Sequence, residues 1–162
     1  MKLSLDADLL PTTHAAGGEA DIVYAYEDSG AYPAHTLLLE ATLTNAQTQR
    51  KAEMEPVSRH LGRHLLRSGT ANDYCLFVNN HLDLNVTSDF RGRKNTPFFD
   101  NGKPPKMVEG MKIIPLETAE LKQIVQHDWQ YYDLYAIFEA AFQSTEFVTT
   151  WYDSYIAQRL AR

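Results

Sequence analysis

Short apolar runs, separated by polar or glycine-containing segments, divide this chain into alternating predicted strands and helices. The runs predict four strands, at residues 19–26, 35–43, 74–79 and 111–116. Several of these runs are apolar at consecutive positions, a pattern typical of strands buried on both faces of a sheet. Because the first two strands are joined by a short loop, we expect them to pair in antiparallel orientation.

A long helix is predicted between the second and third strands. Thr44 or Asn45 is placed to cap its beginning, and Gly69 follows its predicted end at Ser68. Pro56 falls inside this segment, where a proline removes a backbone donor, so we expect a kink or the start of a second helical piece there.

The stretch after the third strand has weaker signals. Residues 82–90 are interpreted as a weak helix or an extended connector, and residues 118–125 as a helix capped by Thr118. Residues 91–110 combine glycine, proline and basic side chains, which predicts a mobile basic loop.

Aromatic residues concentrate near the end of the sequence. Ten of the eighteen fall between Trp129 and Tyr155, first with the spacing of an amphipathic helix and then in a second predicted helix at about 145–160. We expect these side chains to form core rather than a platform for stacking bases, whereas an exposed aromatic face would indicate a subunit contact. The element order predicts an α/β fold, a mixed central sheet flanked by helices with an aromatic-rich C-terminal helical segment.

Length and composition are those of one globular domain. We expect residues 1–162 to form a single domain, with a core at about 14–126 and C-terminal helices at about 128–160. No apolar run approaches the roughly 20 residues that span a bilayer, so no membrane partner is expected. The first residues lack a signal-peptide core and Cys75 is the single cysteine, which predicts a reducing, cytoplasmic location.

Charge is unevenly distributed along the sequence. The formal net charge is −6, which argues against a free-standing, tight nucleic-acid binder. Ten of the fifteen lysines and arginines nevertheless lie between Arg50 and Lys106, against six acids in that stretch. This basic segment is either a phosphate-contacting surface or an ordinary solvated one.

The most informative chemical feature is an acid inside an apolar strand. Glu40 lies in the run from Thr36 to Thr42, where an unpaired buried carboxylate would be costly. A second acid, Asp21, opens the preceding strand. Two acids on neighbouring strands predict a divalent cation held by oxygen ligands, with Mg²⁺ as the ion that suits them. The alternative is an ion pair between Glu40 and a nearby arginine.

A polar stripe follows on the predicted helix. Gln49, Glu53 and His60 share one helical face, with His64 one turn further on. The alternative interpretation is an ordinary solvated face. Basic side chains that could meet DNA phosphates lie beside this stripe or in the basic loop. They are Arg59, Arg63, Arg91, Arg93 and Lys94.

Three segments together resemble a known protein family. They are residues 14–23 (HAAGGEADIV), 39–43 (LEATL) and 53–61 (EMEPVSRHL), with Gln49 between the last two. The chain resembles the cleavage domain of AlwI-type, type IIS restriction endonucleases, relatives of the FokI cleavage domain within the PD-(D/E)xK nuclease superfamily. The resemblance extends over about residues 14–126.

This resemblance implies Mg²⁺-dependent hydrolysis of DNA phosphodiester bonds, with Mn²⁺ able to substitute. Asp21 and Glu40 match the metal-binding acids, and the carbonyl of Ala41 would be a third ligand. Thr42 occupies the position of the lysine usual in the superfamily, a departure that the AlwI-type subfamily shares. Glu53 and His60 match further active-site positions, and the matching segments also include His14 and Gln49 as accessory positions.

The resemblance also bears on partners. It implies double-stranded DNA as substrate, with sequence recognition supplied by another domain or a large subunit, in a homodimer or a heterodimer. The reaction would be site-specific cleavage or nicking. Two alternatives stay open: a catalytically inactive nuclease-like domain that binds DNA or a partner protein, and a different hydrolase or structural module in which a salt bridge holds Glu40.

Overall fold

A five-stranded sheet is the central element of the described part of the chain. The computed structural model describes residues 12–13, 20–42 and 54–161. In chain order the strands are β1 (Thr12–Thr13), β2 (Ile22–Tyr26), β3 (His35–Ala41), β4 (Tyr74–Asn79), β5 (Phe98–Asp100), β6 (Lys106–Val108) and β7 (Lys112–Glu117). The sheet has the order β1-β2-β3-β4-β7, and β5 and β6 form a separate two-stranded ribbon.

Strand pairing confirms the predicted mixed sheet. β2 is antiparallel to both β1 and β3, as the short β2–β3 connection requires. β3, β4 and β7 are parallel to one another, so their carboxyl ends meet at the same edge of the sheet. The four predicted strands correspond to β2, β3, β4 and β7.

Helices cover both faces of this sheet. The described helices are α1 (Met54–Ser68), α2 (Leu84–Gly92), α3 (Thr118–Gln126), α4 (Tyr131–Gln143) and α5 (Val148–Tyr152). Directly after α5 come a π-helical segment (Asp153–Ala157) and a last helical turn (Gln158–Leu160). Within the described ranges, no helix is long and apolar enough to cross a membrane.

Side-chain alternation along the strands separates the core into two halves. On one face, Leu38, Cys75 and Ile113 pack against α1 and α2. On the other face, Leu37, Leu76 and Ile114 pack against α3, α4 and the C-terminal helical segments. The sheet is therefore covered on both sides, which explains the continuous apolar runs of β3 and β4.

Most of the C-terminal aromatic residues belong to this second half of the core, as the sequence predicts. Tyr131 stacks on Tyr26 with ring centroids 3.8 Å apart, and its hydroxyl lies 2.7 Å from Nε2 of His35. His35 Nδ1 lies 2.7 Å from the carbonyl of Pro33. Burial lowers the pKa of His35, which favours the neutral ring in this apolar setting.

The prediction of a loop at residues 91–110 is wrong, because part of this segment forms regular secondary structure. After α2 the chain forms a 3-10 turn (Arg93–Asn95) and then the β5–β6 ribbon. Phe98 of the ribbon packs against α1 at Gly62, where the missing side chain leaves room for the aromatic ring. Because a Cβ at Gly62 would overlap that ring, the glycine is what allows the ribbon to lie on the helix.

Gly62→Ala is expected to destabilise the protein by about 1–3 kcal/mol, the usual effect of overpacking a well-packed site. Gly92→Ala is the matched control, because a Cβ there meets nothing within 4 Å and the backbone is helical with φ of −66°. The control is expected to be neutral or slightly stabilising. Denaturant unfolding of both variants measures the difference, and equal stability would contradict the close packing.

The start of α3 also differs from the prediction. Glu117 is the N-cap, where Thr118 was expected, and it forms a capping box with Glu120. The backbone N–H of Glu117 donates to Oε2 of Glu120 at 2.7 Å. Since β7 ends at Glu117, the strand runs directly into the helix without an intervening residue.

Candidate active site

The register of β2 and β3 places the two predicted acids opposite each other. Ile22 pairs with Leu39, so one further step along the antiparallel ladder aligns Asp21 with Glu40. Alternation puts both acids on the sheet face that carries Val23 and Leu38, which is the face covered by α1. The two carboxylates therefore project to the same side of the sheet.

Asp21 is tied to the end of the neighbouring strand. Its Oδ2 accepts a hydrogen bond of 2.9 Å from the backbone N–H of Ala41. In an extended strand the N–H and C=O of one residue point to the same side, so the Ala41 carbonyl also faces the Asp21 edge. Thr42 faces the other way, with its backbone N–H donating to the carbonyl of Val78 at 3.0 Å.

Glu40 is buried, with 8% of its surface exposed, and it meets a histidine from α1. Nδ1 of His60 lies 2.6 Å from Oε1 of Glu40. A carboxylate only accepts hydrogen bonds, so Nδ1 carries the proton and donates it. His60 is thus a partner of Glu40 on the α1 side of the sheet.

Sequence reasoning did not connect Cys75 of β4 with the two acids, although it lies on the same face of the sheet. Cys75 of β4 is fully buried, and burial together with the negative charges of Glu40 and Asp21 raises the pKa of its thiol. Both carboxylates are thus within electrostatic reach of one buried side chain. Cys75 could be placed near the acids only from the parallel register of β3 and β4, which pairs Leu38 with Cys75. A single sequence does not reveal that register.

The donor set at this edge of the sheet fits Mg²⁺. Two carboxylates and a backbone carbonyl are hard oxygen ligands, and Mg²⁺ is typically held by one or two carboxylates while keeping several waters. Within the described ranges, no group of three or more His, Cys, Asp or Glu side chains could hold a metal. Nε2 of His60 is buried and has no hydrogen-bond partner among the described residues, so it has capacity for one.

Three predicted site residues lie outside the described residues. They are His14, Gln49 and Glu53. Their assignment as accessory or catalytic positions stays a prediction. Of the predicted polar stripe on α1, the structure therefore describes His60 and His64.

His64 does not join His60 at the acids. Its Nε2 lies 2.8 Å from Oδ2 of Asp73, which also accepts a 3.1 Å hydrogen bond from the Ser68 hydroxyl. Asp73 Oδ1 accepts from the backbone N–H of Thr36 at 2.7 Å. This network around the buried Asp73 connects the end of α1 to the start of β3, at the opposite end of that strand from Glu40.

Arg91 and Lys94 were predicted as phosphate contacts, and the structure gives them different partners. Lys94 Nζ donates to the carbonyls of Phe142 and Ser144 at 3.1 and 2.8 Å. Arg91 Nη2 donates to the Ser144 carbonyl at 3.4 Å, and its guanidinium lies 5.7 Å from the centre of the Trp151 ring. These cations complete the carboxyl end of α4, where they complement the helix dipole.

The remaining basic candidates lie on the α1 and α2 side of the sheet. Nη1 of Arg59 donates to both carboxylate oxygens of Glu55, at 2.9 and 3.1 Å. Arg63 is exposed on α1, and Arg93 is half-buried in the 3-10 turn. Arg63 and Arg93 therefore stay the better candidates for phosphate contact.

Comparison with known proteins identifies the family to which this mixed sheet belongs. The model of the AlwI restriction endonuclease family matches residues 1–124. The chain belongs to this family.

Solved structures agree on the fold. Nine solved chains match, and among them is the small subunit (R.BspD6I2) of the heterodimeric restriction endonuclease R.BspD6I. The two chains are 22% identical with a TM-score of 0.64, and the alignment covers 93% of this chain and 72% of that one. At this identity the likeness concerns the fold. A comparison with curated proteins finds no match.

Proposed function

We propose that this chain is a metal-dependent endonuclease module that hydrolyses DNA phosphodiester bonds at the edge of the sheet formed by Asp21, Glu40 and Ala41. Membership of a restriction endonuclease family supports a nuclease role. The observation that supports the residue assignment is that the last pair of the β2–β3 ladder, Ile22 with Leu39, directly adjoins Asp21 and Glu40, and that Ala41 donates to Asp21 there. Asp21, Glu40 and the Ala41 carbonyl would hold Mg²⁺, and Mn²⁺ would substitute for it.

The bound ion would lower the pKa of water and neutralise negative charge that develops on the phosphate. The protein's own part is to hold the donors in place. The Ala41 N–H fixes the Asp21 carboxylate, and the His60 Nδ1–H fixes that of Glu40. Both contacts orient oxygen atoms before substrate arrives, which avoids reorganisation during the reaction.

His60 is the candidate for the role that a lysine has elsewhere in the superfamily. With Nδ1 donating to Glu40, the Nε2-unprotonated tautomer would have Nε2 as an acceptor. That buried atom has no partner among the described residues, so it is free to orient water near the scissile phosphate. Thr42, at the position of the usual lysine, has no ammonium to offer, and Glu53 stays an additional proposed contributor.

Sequence recognition requires a second component. The similar solved chain is the small subunit of a heterodimeric enzyme, and we propose that this chain also acts with a DNA-recognition domain or large subunit. Site-specific cleavage of the type IIS kind, or nicking of one strand, follows from that arrangement. A homodimer that acts on both strands is the alternative assembly.

Asp21→Asn tests the proposal without requiring that partner. Calorimetric titration with Mn²⁺ is expected to show binding by wild type and at least tenfold weaker binding by the variant, because one charged ligand is lost. Supercoiled plasmid with Mn²⁺ provides the activity readout, with EDTA as the blank. A folded wild-type protein that binds neither Mg²⁺ nor Mn²⁺ would favour the second candidate function, an inactive nuclease-like domain, which the Thr42 substitution motivates.

A further inference from the structure

Charge on the folded protein is divided between the two faces of the sheet. The layer formed by residues 54–68 and 84–108 carries eight lysines and arginines against three acids. The layer formed by residues 118–161 carries two against six. The basic layer is the one that packs on the face of Asp21 and Glu40, because α1 belongs to it. A polyanion approaching the acids would therefore meet the basic layer.

The β5–β6 ribbon is the most exposed part of that basic layer. Phe98 pairs with Val108, and both are half-buried against α1 and its core. The next cross-strand pair, Phe99 with Met107, must point to the opposite face, since side chains alternate along a strand. Phe99 is 56% exposed and Met107 is 50% exposed.

Two lysines border this apolar pair. Lys103 lies at the turn, where every residue from 101 to 106 is exposed, and the exposed Lys106 next to Met107 pairs across the ribbon with Asp100. On the helix beneath the ribbon, Arg63 is exposed as well. A ribbon anchored on one face, with an apolar pair and lysines on its free parts, has the composition of a DNA-contacting element. Lysines suit phosphates, whereas apolar side chains suit sugars and thymine methyl groups.

We propose that the β5–β6 ribbon, with Arg63 of α1, is the surface on which this protein holds double-stranded DNA, an inference that rests on the proposed nuclease function. A two-stranded ribbon fits within a major groove about 12 Å wide. Lys103 and Lys106 contact phosphates, and Phe99 with Met107 faces the groove. Phe98 fixes the ribbon to Gly62 of α1, the helix that also carries His60 to Glu40. The surface thus sets DNA in a defined position relative to the acids.

Salt dependence of DNA binding tests this surface directly. The probe is a short, fluorescently labelled duplex of arbitrary sequence, titrated with the protein in EDTA at a series of KCl concentrations. For the double variant Lys103→Gln/Lys106→Gln, the plot of log affinity against log salt is expected to become shallower by about 1.8, since each lost phosphate contact removes about 0.9. The matched control Lys122→Gln/Arg159→Gln removes the two cations of the acidic layer and is expected to leave the slope unchanged.

A second variant separates the apolar contact from the charges. Phe99→Ser/Met107→Ser is expected to weaken binding severalfold at every salt concentration with the wild-type slope. Circular dichroism melts check that the variants fold. An unchanged slope in the lysine variant, an equal change in the control, or no DNA binding by wild type at the lowest salt would overturn the proposal. Because the duplex titration is done in EDTA, it does not depend on the metal site, so a chain that binds DNA through this surface but binds neither Mg²⁺ nor Mn²⁺ would refute the proposed function alone.

Discussion

Replacing Glu40 with glutamine is expected to slow metal-dependent DNA cleavage by about 10³-fold or more while the protein stays folded. A metal carboxylate supplies several kcal/mol of charge stabilisation in the transition state, and each 1.4 kcal/mol is a factor of about ten in rate. Glutamine has nearly the same shape and still accepts the hydrogen bond from His60 Nδ1. The loss would therefore report the missing negative charge rather than a disturbed core. Initial rates of nicking of supercoiled plasmid with Mg²⁺ provide the measurement.

Two comparison variants make this result specific. Glu55→Gln removes an acid of α1 whose described partner is Arg59, and it is expected to cleave at the wild-type rate. His60→Asn leaves both carboxylates in place and is expected to lose about 10²-fold, within the range for a residue that assists proton transfer or orients water. Equal rates for wild type and Glu40→Gln in a clean preparation would refute the assignment of Glu40 as a metal ligand.

Trp151→Ala is expected to be the most damaging single change to stability, at about 3–5 kcal/mol. The side chain is 2% exposed within the core half that contains α4, and its Nε1–H donates to the carbonyl of Ala141 at 2.6 Å. Truncation would leave a cavity, orphan that carbonyl and remove the ring beneath the guanidinium of Arg91. Thermal unfolding is expected to shift down by about 6–20 °C, given about 2–4 °C per kcal/mol at this chain length.

Phe147→Ala is the matched control for the tryptophan. This aromatic residue lies four positions earlier and is 84% exposed, so its truncation is expected to change stability by less than about 0.5 kcal/mol. A melting temperature for Trp151→Ala within a few degrees of this control would contradict the core role assigned to Trp151.

Local sequence patterns are sufficient to predict strands β2, β3, β4 and β7 of the central sheet, because burial of a strand requires apolar side chains at its own consecutive positions. β3 contains the apolar run Leu37–Leu39 and β4 is apolar from Tyr74 to Val78 since both of their faces are covered, and such runs are visible in a single sequence. The opposition of Asp21 and Glu40 follows from the same logic, since a short loop between antiparallel strands fixes their register.

Some contacts of the predicted site residues could not be read from the sequence. Arg91 and Lys94 look like phosphate ligands in sequence, yet carbonyls at Phe142 and Ser144 come to meet them from about fifty residues further along the chain. His64 lies one helical turn after His60, but its ring contacts Asp73 near the other end of β3 instead of Asp21 or Glu40. Such choices depend on long-range packing, which local periodicity does not encode.

The ribbon at Phe98–Asp100 and Lys106–Val108 escaped prediction for another reason. Its strands are three residues long, too short for an alternating pattern to stand out, and its tip contains Pro104 and Pro105. What orders it is the contact of Phe98 with a helical glycine, which becomes visible only in three dimensions.

The layer of helices beyond residue 126 has a practical consequence for anyone who shortens or fuses this chain. The family match ends at residue 124, which invites a boundary there. Truncation there would expose the apolar side chains of Leu37, Leu76 and Ile114 to solvent. An exposed apolar sheet face is prone to aggregation. A shortened or fused version of this chain therefore has to extend through Leu160, whose side chain is fully buried in that layer of helices.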